Sequence, residues 1–315
     1  MLKMTLTTNI FNGLKTEYSI PNKQIIFVSD FFSEDIKGGA ELTTEAIQSY
    51  CPSNISFANI HASSLRIPLL QRNKNKHYVF GNATKMPKDV LFELSSNNEY
   101  SYSVIEYDFK FCFYRNVSMH LLQKGELNCD CSKDHKDLIE NFYNNAKKRY
   151  WMSEKQLAFT SLYIDLKQTN EKDFVLSSVF KKETLDKLLL LKQEPKEPES
   201  YGILKEGSWV KGIDLAKDYI KSNNIQNVKE LNNPNYDLFL KDVARCENLI
   251  FTPLGWDTCP RLVIEAMLMG VNVVVNDNVF HIDEEWLKSE ESQLMYLRNN
   301  VNEVFWKNEQ ELVLK

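Results

Sequence analysis

Short apolar, β-branched runs alternate along this chain with amphipathic stretches of helical period. Residues 25–29 (IIFVS), 55–60, 78–80 and 103–107 (SVIEY) predict buried strands in the first half, and 201–204, 228–231, 249–251 and 271–275 predict them in the second. Between them, residues 40–50, 88–94, 137–148, 183–191, 213–220 and 236–244 read as helices. From Pro260, the apolar residues Leu262, Val263, Ala266, Met267 and Met269 recur at helical spacing until Gly270 stops the helix. Strand, loop, helix, strand is a parallel βαβ unit. The expected fold class is therefore α/β, with two doubly wound, Rossmann-like domains facing a cleft. Residues 1–172 would form the first domain and 173–315 the second, with the polar run 167–172 (KQTNEK) as linker and 174–178 opening the second half. Residues 193–200 (QEPKEPES) read as a Pro- and charge-rich loop. Residues 296–314 predict one or two helices with Phe305 and Trp306 on an apolar face.

In such sheets ligands bind outside the carboxyl ends of the strands, so the loops there carry the candidate chemistry. The stretch 249–277 is the richest. Its loop brings Asp257, Thr258, Cys259 and Arg261 to a helix N-terminus, whose free N–H groups and dipole favour an anion such as a diphosphate. Glu265 follows Asp257 after seven residues. Two carboxylates at one mouth suit paired sugar hydroxyls; the plainer reading is a turn residue and a solvated helix residue. Lys211-Gly212, with Ser208 before it, stands between a strand and a helix, where a lysine is well placed for a diphosphate. Gly38 and Gly39 lie between the first strand and its helix, where glycine permits close approach of a ligand or another backbone, or simply a tight turn. Asp108 ends the strand 103–107; a carboxylate there would orient an acceptor or act as a base, unless it is only a surface turn.

Asp257, seven residues and Glu265, followed by Ala266 and Gly270, resemble the two-carboxylate signature of the retaining GT-B glycosyltransferases of family 4. Gly38-Gly39-Ala40-Glu41, Met152-Ser153-Glu154 and Lys211-Gly212 resemble further family motifs in the same order. The resemblance implies a GT-B fold whose last helix crosses back onto the first domain. It also implies a hexosyltransferase-type enzyme with an acceptor-side first domain and a donor-side second domain. The donor would be a UDP-, GDP- or ADP-sugar and the acceptor a saccharide or lipid-linked molecule. Glu265 would hold the ribose and Asp257 the sugar. Lys211, with the helix N-terminus at Thr258, Cys259 and Arg261, would neutralise the departing diphosphate. Gly38, Gly39 and Ser208 would line the donor site, and no catalytic metal is needed. The chain departs from the family in three places: Asp257 replaces the usual glutamate, Asp108 stands near the usual pocket histidine, and the arginine expected just before Lys211 is missing.

The segment 110–136 lies outside the resemblance and reads as an insertion. Cys112, His120, Cys129 and Cys131 fall within 20 residues there. Four such ligands in tetrahedral array suit a structural zinc, and none of them would leave an open position for catalysis. His135 is an alternative fourth ligand; free thiols or a local disulfide are the other readings. The 315 residues are 43% hydrophobic and 12% aromatic, enough for real cores. A net charge of −5 disfavours a broad nucleic-acid footprint, and so the alternative that the acceptor is a modified DNA base. A non-catalytic nucleotide-sugar-binding protein is the remaining alternative. The first 15 residues lack the apolar core of a signal peptide. No apolar run nears the ~18 residues that cross a bilayer, so a cytoplasmic protein is expected.

Overall fold

The computed structural model describes residues 24–125, 128–167, 171–205 and 211–314 of the chain. Six strands, β1 (Ile25–Ser29), β2 (Phe57–His61), β3 (His77–Phe80), β4 (Ser101–Glu106), β5 (Lys148–Trp151) and β6 (Asp173–Val175), form an all-parallel sheet in the order β2-β1-β3-β4-β5-β6. Four more, β7 (Glu197–Leu204), β8 (Val228–Leu231), β9 (Cys246–Phe251) and β10 (Asn272–Val275), form a second parallel sheet, β10-β9-β7-β8. Every residue of β1 and β3 is buried. That is why these strands read as continuous apolar runs: helices cover both faces of a parallel sheet. The two Rossmann-like units expected from the sequence are present.

Strand order fixes where each sheet can hold a ligand. In the first sheet the order reverses around β1, which pairs with both β2 and β3. In the second it reverses between β7 and β9. The crevice outside the carboxyl ends at such a switch point is left open by helices that depart to opposite sides. The loop after β1 ends at Gly38 and Gly39, and the loops after β7 and β9 carry Lys211 and Asp257.

The C-terminal segment returns to the first sheet. The helix Glu290–Asn300, a π-helical turn Val301–Trp306 and the helix Lys307–Val313 follow one another without a break. The Phe305 ring lies 4.8 Å from that of Tyr150 and 6.4 Å from that of Phe27, and Trp306 Nε1 donates to Ile47 O at 2.9 Å. Glu309, fully buried beneath β3, β4 and β5, accepts from Ser103 Oγ (2.7 Å) and Tyr150 OH (2.8 Å) and faces His77 Nε2 at 2.8 Å. A carboxylate so deep is tolerable only when surrounded by donors in this way.

Three local expectations change. Asp173–Val175, expected at the opening of the second half, pairs with β5 at the edge of the first sheet. The stretch 197–200, expected as loop, belongs to β7. Its register shift between Glu197 and Tyr201, with Glu199 at φ 56°, lets the strand absorb Pro198. The 110–136 insertion holds a helix of its own, Val117–Lys124, capped by Asn116 and closed by Gly125 at φ 65°. Residues 168–170 of the expected linker lie outside the described residues. Among the described residues no helix is long and apolar enough to cross a membrane.

Candidate active site

A cavity of about 450 Å³ opens between the two sheets. The first half lines it with Lys37, Gly39, Thr43 and Tyr107, the second with Lys211, Asn233, Tyr236, the run 257–261 and Glu265. Of the residues expected to bind a donor, Gly39, Lys211, Asp257, Thr258, Cys259, Arg261 and Glu265 thus meet at one place. Gly38 is the N-cap residue of the helix Gly39–Ser49, one position behind the wall. Ser208 lies outside the described residues.

Lys211 reaches the site because Gly212 lets its loop lie on the end of β9. Gly212 has φ 71°, and a Cβ there would overlap the Thr252 carbonyl. The Lys211 ammonium then pairs with Asp257 Oδ2 at 2.6 Å, so one cation and one carboxylate face the cavity from adjacent strand ends. The helix Arg261–Leu268 starts one residue later than the sequence suggests, with Pro260 as its N-cap residue. Its N-terminus faces the same space.

Glu265 is only 3% exposed. Its Oε1 accepts from Tyr236 OH at 2.6 Å and lies 3.4 Å from Arg261 Nε. Among the described residues no hydrogen bond reaches Oε2, which leaves one oxygen of an oriented carboxylate for a ligand. Burial, reinforced by the Glu265 charge, raises the Tyr236 phenol well above its ordinary range, so it donates rather than ionises. Arg261 bridges the halves through Nη1, which donates to Thr43 Oγ1 at 3.5 Å; within its own half Nη1 also donates to Val179 O and the guanidinium stacks 3.9 Å over Phe180. Burial pushes the Cys259 thiol up to about 12, so it packs as a neutral group and is no nucleophile.

Asp108 is not part of the cavity wall. Arg115 holds it through Nε at 2.9 Å and Nη2 at 2.6 Å, and its neighbour Tyr107 lines the site instead. Tyr107, Thr43 and Tyr236 were not singled out by the sequence. Each comes from an element whose local pattern is ordinary: packing of the halves brings Tyr107 and Thr43 to the cavity, and Tyr236 reaches it by packing on Glu265 within the second half. His281, in the loop after β10, is fully buried beside Trp286 and held neutral, its ring pushed down to about 4 by burial.

The halves are joined along one side of the cavity. Thr258 Oγ1 donates to Tyr107 O across the cleft at 2.8 Å, while Ser178 Oγ holds Cys259 O at 2.8 Å within the second half. Trp256 enters an aromatic nest of Phe109 (5.6 Å) and Phe159 (4.7 Å). Asn116 and Ser118, from the insertion, clasp the Trp256 backbone: Asn116 Nδ2 donates to Trp256 O at 2.8 Å, and Trp256 N–H donates to Asn116 Oδ1 (3.2 Å) and Ser118 Oγ (3.1 Å). Gly255 fits beneath because a Cβ there would come 2.5 Å from Met119 Cγ and 2.7 Å from Asn116 Nδ2.

No protein-family model matches the chain, and no curated protein does. Among solved structures, it overlaps the Anabaena protein HepE in complex with UDP at a TM-score of 0.49, with 14% identity and 80% of each chain covered. It overlaps an Escherichia coli structure, given as trehalose-6-phosphate bound with UDP-2-fluoro glucose, at 0.47 and 9% identity, covering 90% of this chain and 95% of that one. The pneumococcal O-GlcNAc transferase GtfA with UDP and GlcNAc overlaps at 0.41 and 10% identity, covering 76% of this chain and 51% of that one. What the cavity does is decided by its own side chains.

Proposed function

We propose that the chain transfers a sugar from a nucleotide-diphosphate sugar to a saccharide or lipid-linked acceptor, with retention at the anomeric carbon. The observation that carries this reading is the single cavity that gathers Lys211, Asp257, the Arg261–Leu268 helix N-terminus and Glu265 at the switch point of the donor-side sheet. The oriented carboxylate of Glu265 accepts hydrogen bonds from a ribose. Lys211 and the helix N-terminus face the diphosphate. Asp257, tied to Lys211, addresses the sugar hydroxyls.

In the transfer, the bond from the anomeric carbon to the diphosphate breaks and its electron pair leaves with the diphosphate. A bond to the acceptor oxygen forms, and the acceptor hydroxyl gives up its proton. Retention puts the acceptor on the face the diphosphate leaves, so an oxygen of the departing group takes that proton. This route asks for no separate base, which agrees with Asp108 being engaged by Arg115. Charge developing on the diphosphate is stabilised by groups already in place, the kind of term that usually dominates such reactions. Closure of the cleft over the donor would exclude the water that otherwise hydrolyses it.

Release of nucleoside diphosphate from a panel of UDP-, GDP- and ADP-sugars, with and without saccharide acceptors, tests the reading. One nucleotide series should turn over, slowly to water and faster with an acceptor. Lys211→Met should lower the rate by about 10²–10³-fold while leaving the fold intact. A nucleotide that binds but is never released as diphosphate under any acceptor would make this a binding protein instead.

A further inference from the structure

None of the cysteines and histidines of the insertion lines the donor cavity, yet four of them are gathered around a point. Cys112, His120, Cys129 and Cys131 are all buried, between 1% and 5% exposed, and their ligand atoms lie within 4.8 Å of one another. His120 Nδ1 is 3.5 Å from Cys112 Sγ and 3.6 Å from Cys131 Sγ; Cys129 Sγ and Cys131 Sγ are 3.5 Å apart. Zinc bond lengths in tetrahedral array require edges of about 3.6 Å between sulfur and nitrogen and about 3.8 Å between two sulfurs. A disulfide would need about 2.05 Å, and all six cysteines are free. His135, the alternative ligand, is turned elsewhere: its Nε2 faces Lys110 O at 3.0 Å and its ring stacks on Phe113 at 4.4 Å. The Phe113 N–H donates to Cys131 Sγ at 3.3 Å, the outer contact that steadies a thiolate on a metal.

We propose that Cys112, His120, Cys129 and Cys131 hold a structural zinc ion, and that this zinc fixes the clasp through which the insertion grips the donor loop at Trp256. The connection is short. His120 sits in the first turn of the helix Val117–Lys124, whose N-cap Asn116 is the residue bonded to both the N–H and the C=O of Trp256. Asp257 is the next residue along the chain. Four protein ligands close the coordination sphere, so the ion takes no part in transfer chemistry. Its work is to tie Cys112, Cys129 and Cys131 to that helix. The insertion thereby becomes a rigid wedge between the halves.

Metal analysis of the full-length, tag-free protein purified without added metal tests the site. About one zinc per chain is expected, falling to near zero in Cys129→Ser and retained in His120→Cys, which offers four thiolates. Should Cys129→Ser fail to fold, zinc released from the folded wild type by an organomercurial gives the same count. Folded wild-type protein without zinc, or with iron in its place, overturns the assignment. Hydrogen–deuterium exchange before and after zinc removal tests the clasp. The Trp256 amide should exchange at least about tenfold faster without the metal while β1 amides stay protected. Unchanged protection at Trp256 would overturn the proposed coupling.

Discussion

Lys211 and Asp257 already pair at 2.6 Å across adjacent strand ends. A diphosphate arriving at Lys211 would share the ammonium with Asp257 rather than replace it, since the lysine has three donors. The shorter aspartate, where the family it resembles has glutamate, is matched by this pairing, which sets the carboxylate through Lys211. Glu265 is positioned differently, by Tyr236 and Arg261 from within the same half. His281 carries a prediction of its own. Its folded-state pKa of about 4 lies below the ordinary 6.5 because the ring is buried, against a smaller opposing pull from Asp257. The unfolded chain therefore takes up the proton first as pH falls, so the stability that depends on a neutral ring is full above about 6.5 and lost as pH falls towards 4. By linkage the loss is about 3 kcal/mol. Urea denaturation from pH 7 to 4.5 should show His281→Gln with a shallower decline than wild type. Parallel declines would place the titration elsewhere.

At the scale of elements, the site depends on how loops leave strands. Gly212 is the clearest case, since its left-handed backbone and the overlap a Cβ would have with the Thr252 carbonyl leave no room for a side chain. Gly212→Ala should cost at least about 1–3 kcal/mol and move Lys211 away from Asp257. Chemical denaturation would read the first effect, and a fall in diphosphate release larger than the stability change would read the second. The local grammar of strand, loop and helix is what made Lys211, Asp257, Arg261 and Glu265 readable before any coordinates, because each belongs to one βα unit. Tyr107, Thr43 and Tyr236 were not readable, because their place at the cavity comes from packing between distant segments. Residues 173–175 and 197–200 were misplaced for a related reason: an edge strand just after a polar run looks like the opening of the next half, and a bulged strand with a proline looks like loop. The cysteine spacing pointed to the four side chains that the fold brings together, Cys112, His120, Cys129 and Cys131, but not to the short helix of the insertion, whose apolar face is too brief for periodicity to show.

At the scale of the molecule, two parallel sheets are held around one cavity by contacts of different kinds. The C-terminal segment locks Trp306 and Glu309 onto the first sheet. The Trp256 nest and the bond from Arg261 to Thr43 join the halves beside the cavity. The cleft is thus set by packing, with the loops supplying its chemistry. The central claim is that this cleft is a nucleotide-sugar site organised by Glu265, and nucleotide binding tests it most directly. Thermal unfolding of wild type and Glu265→Ala should be followed with UDP, GDP and ADP, each variant against its own baseline because the alanine strands Arg261. A ligand at 100 times its dissociation constant stabilises the folded state by about 2.7 kcal/mol, a rise of several degrees. The account predicts that one diphosphate raises the wild-type midpoint and that Glu265→Ala, still folded, loses the shift. Folded wild type with no shift for any of the three at millimolar concentration, or an equal shift in Glu265→Ala, would contradict it.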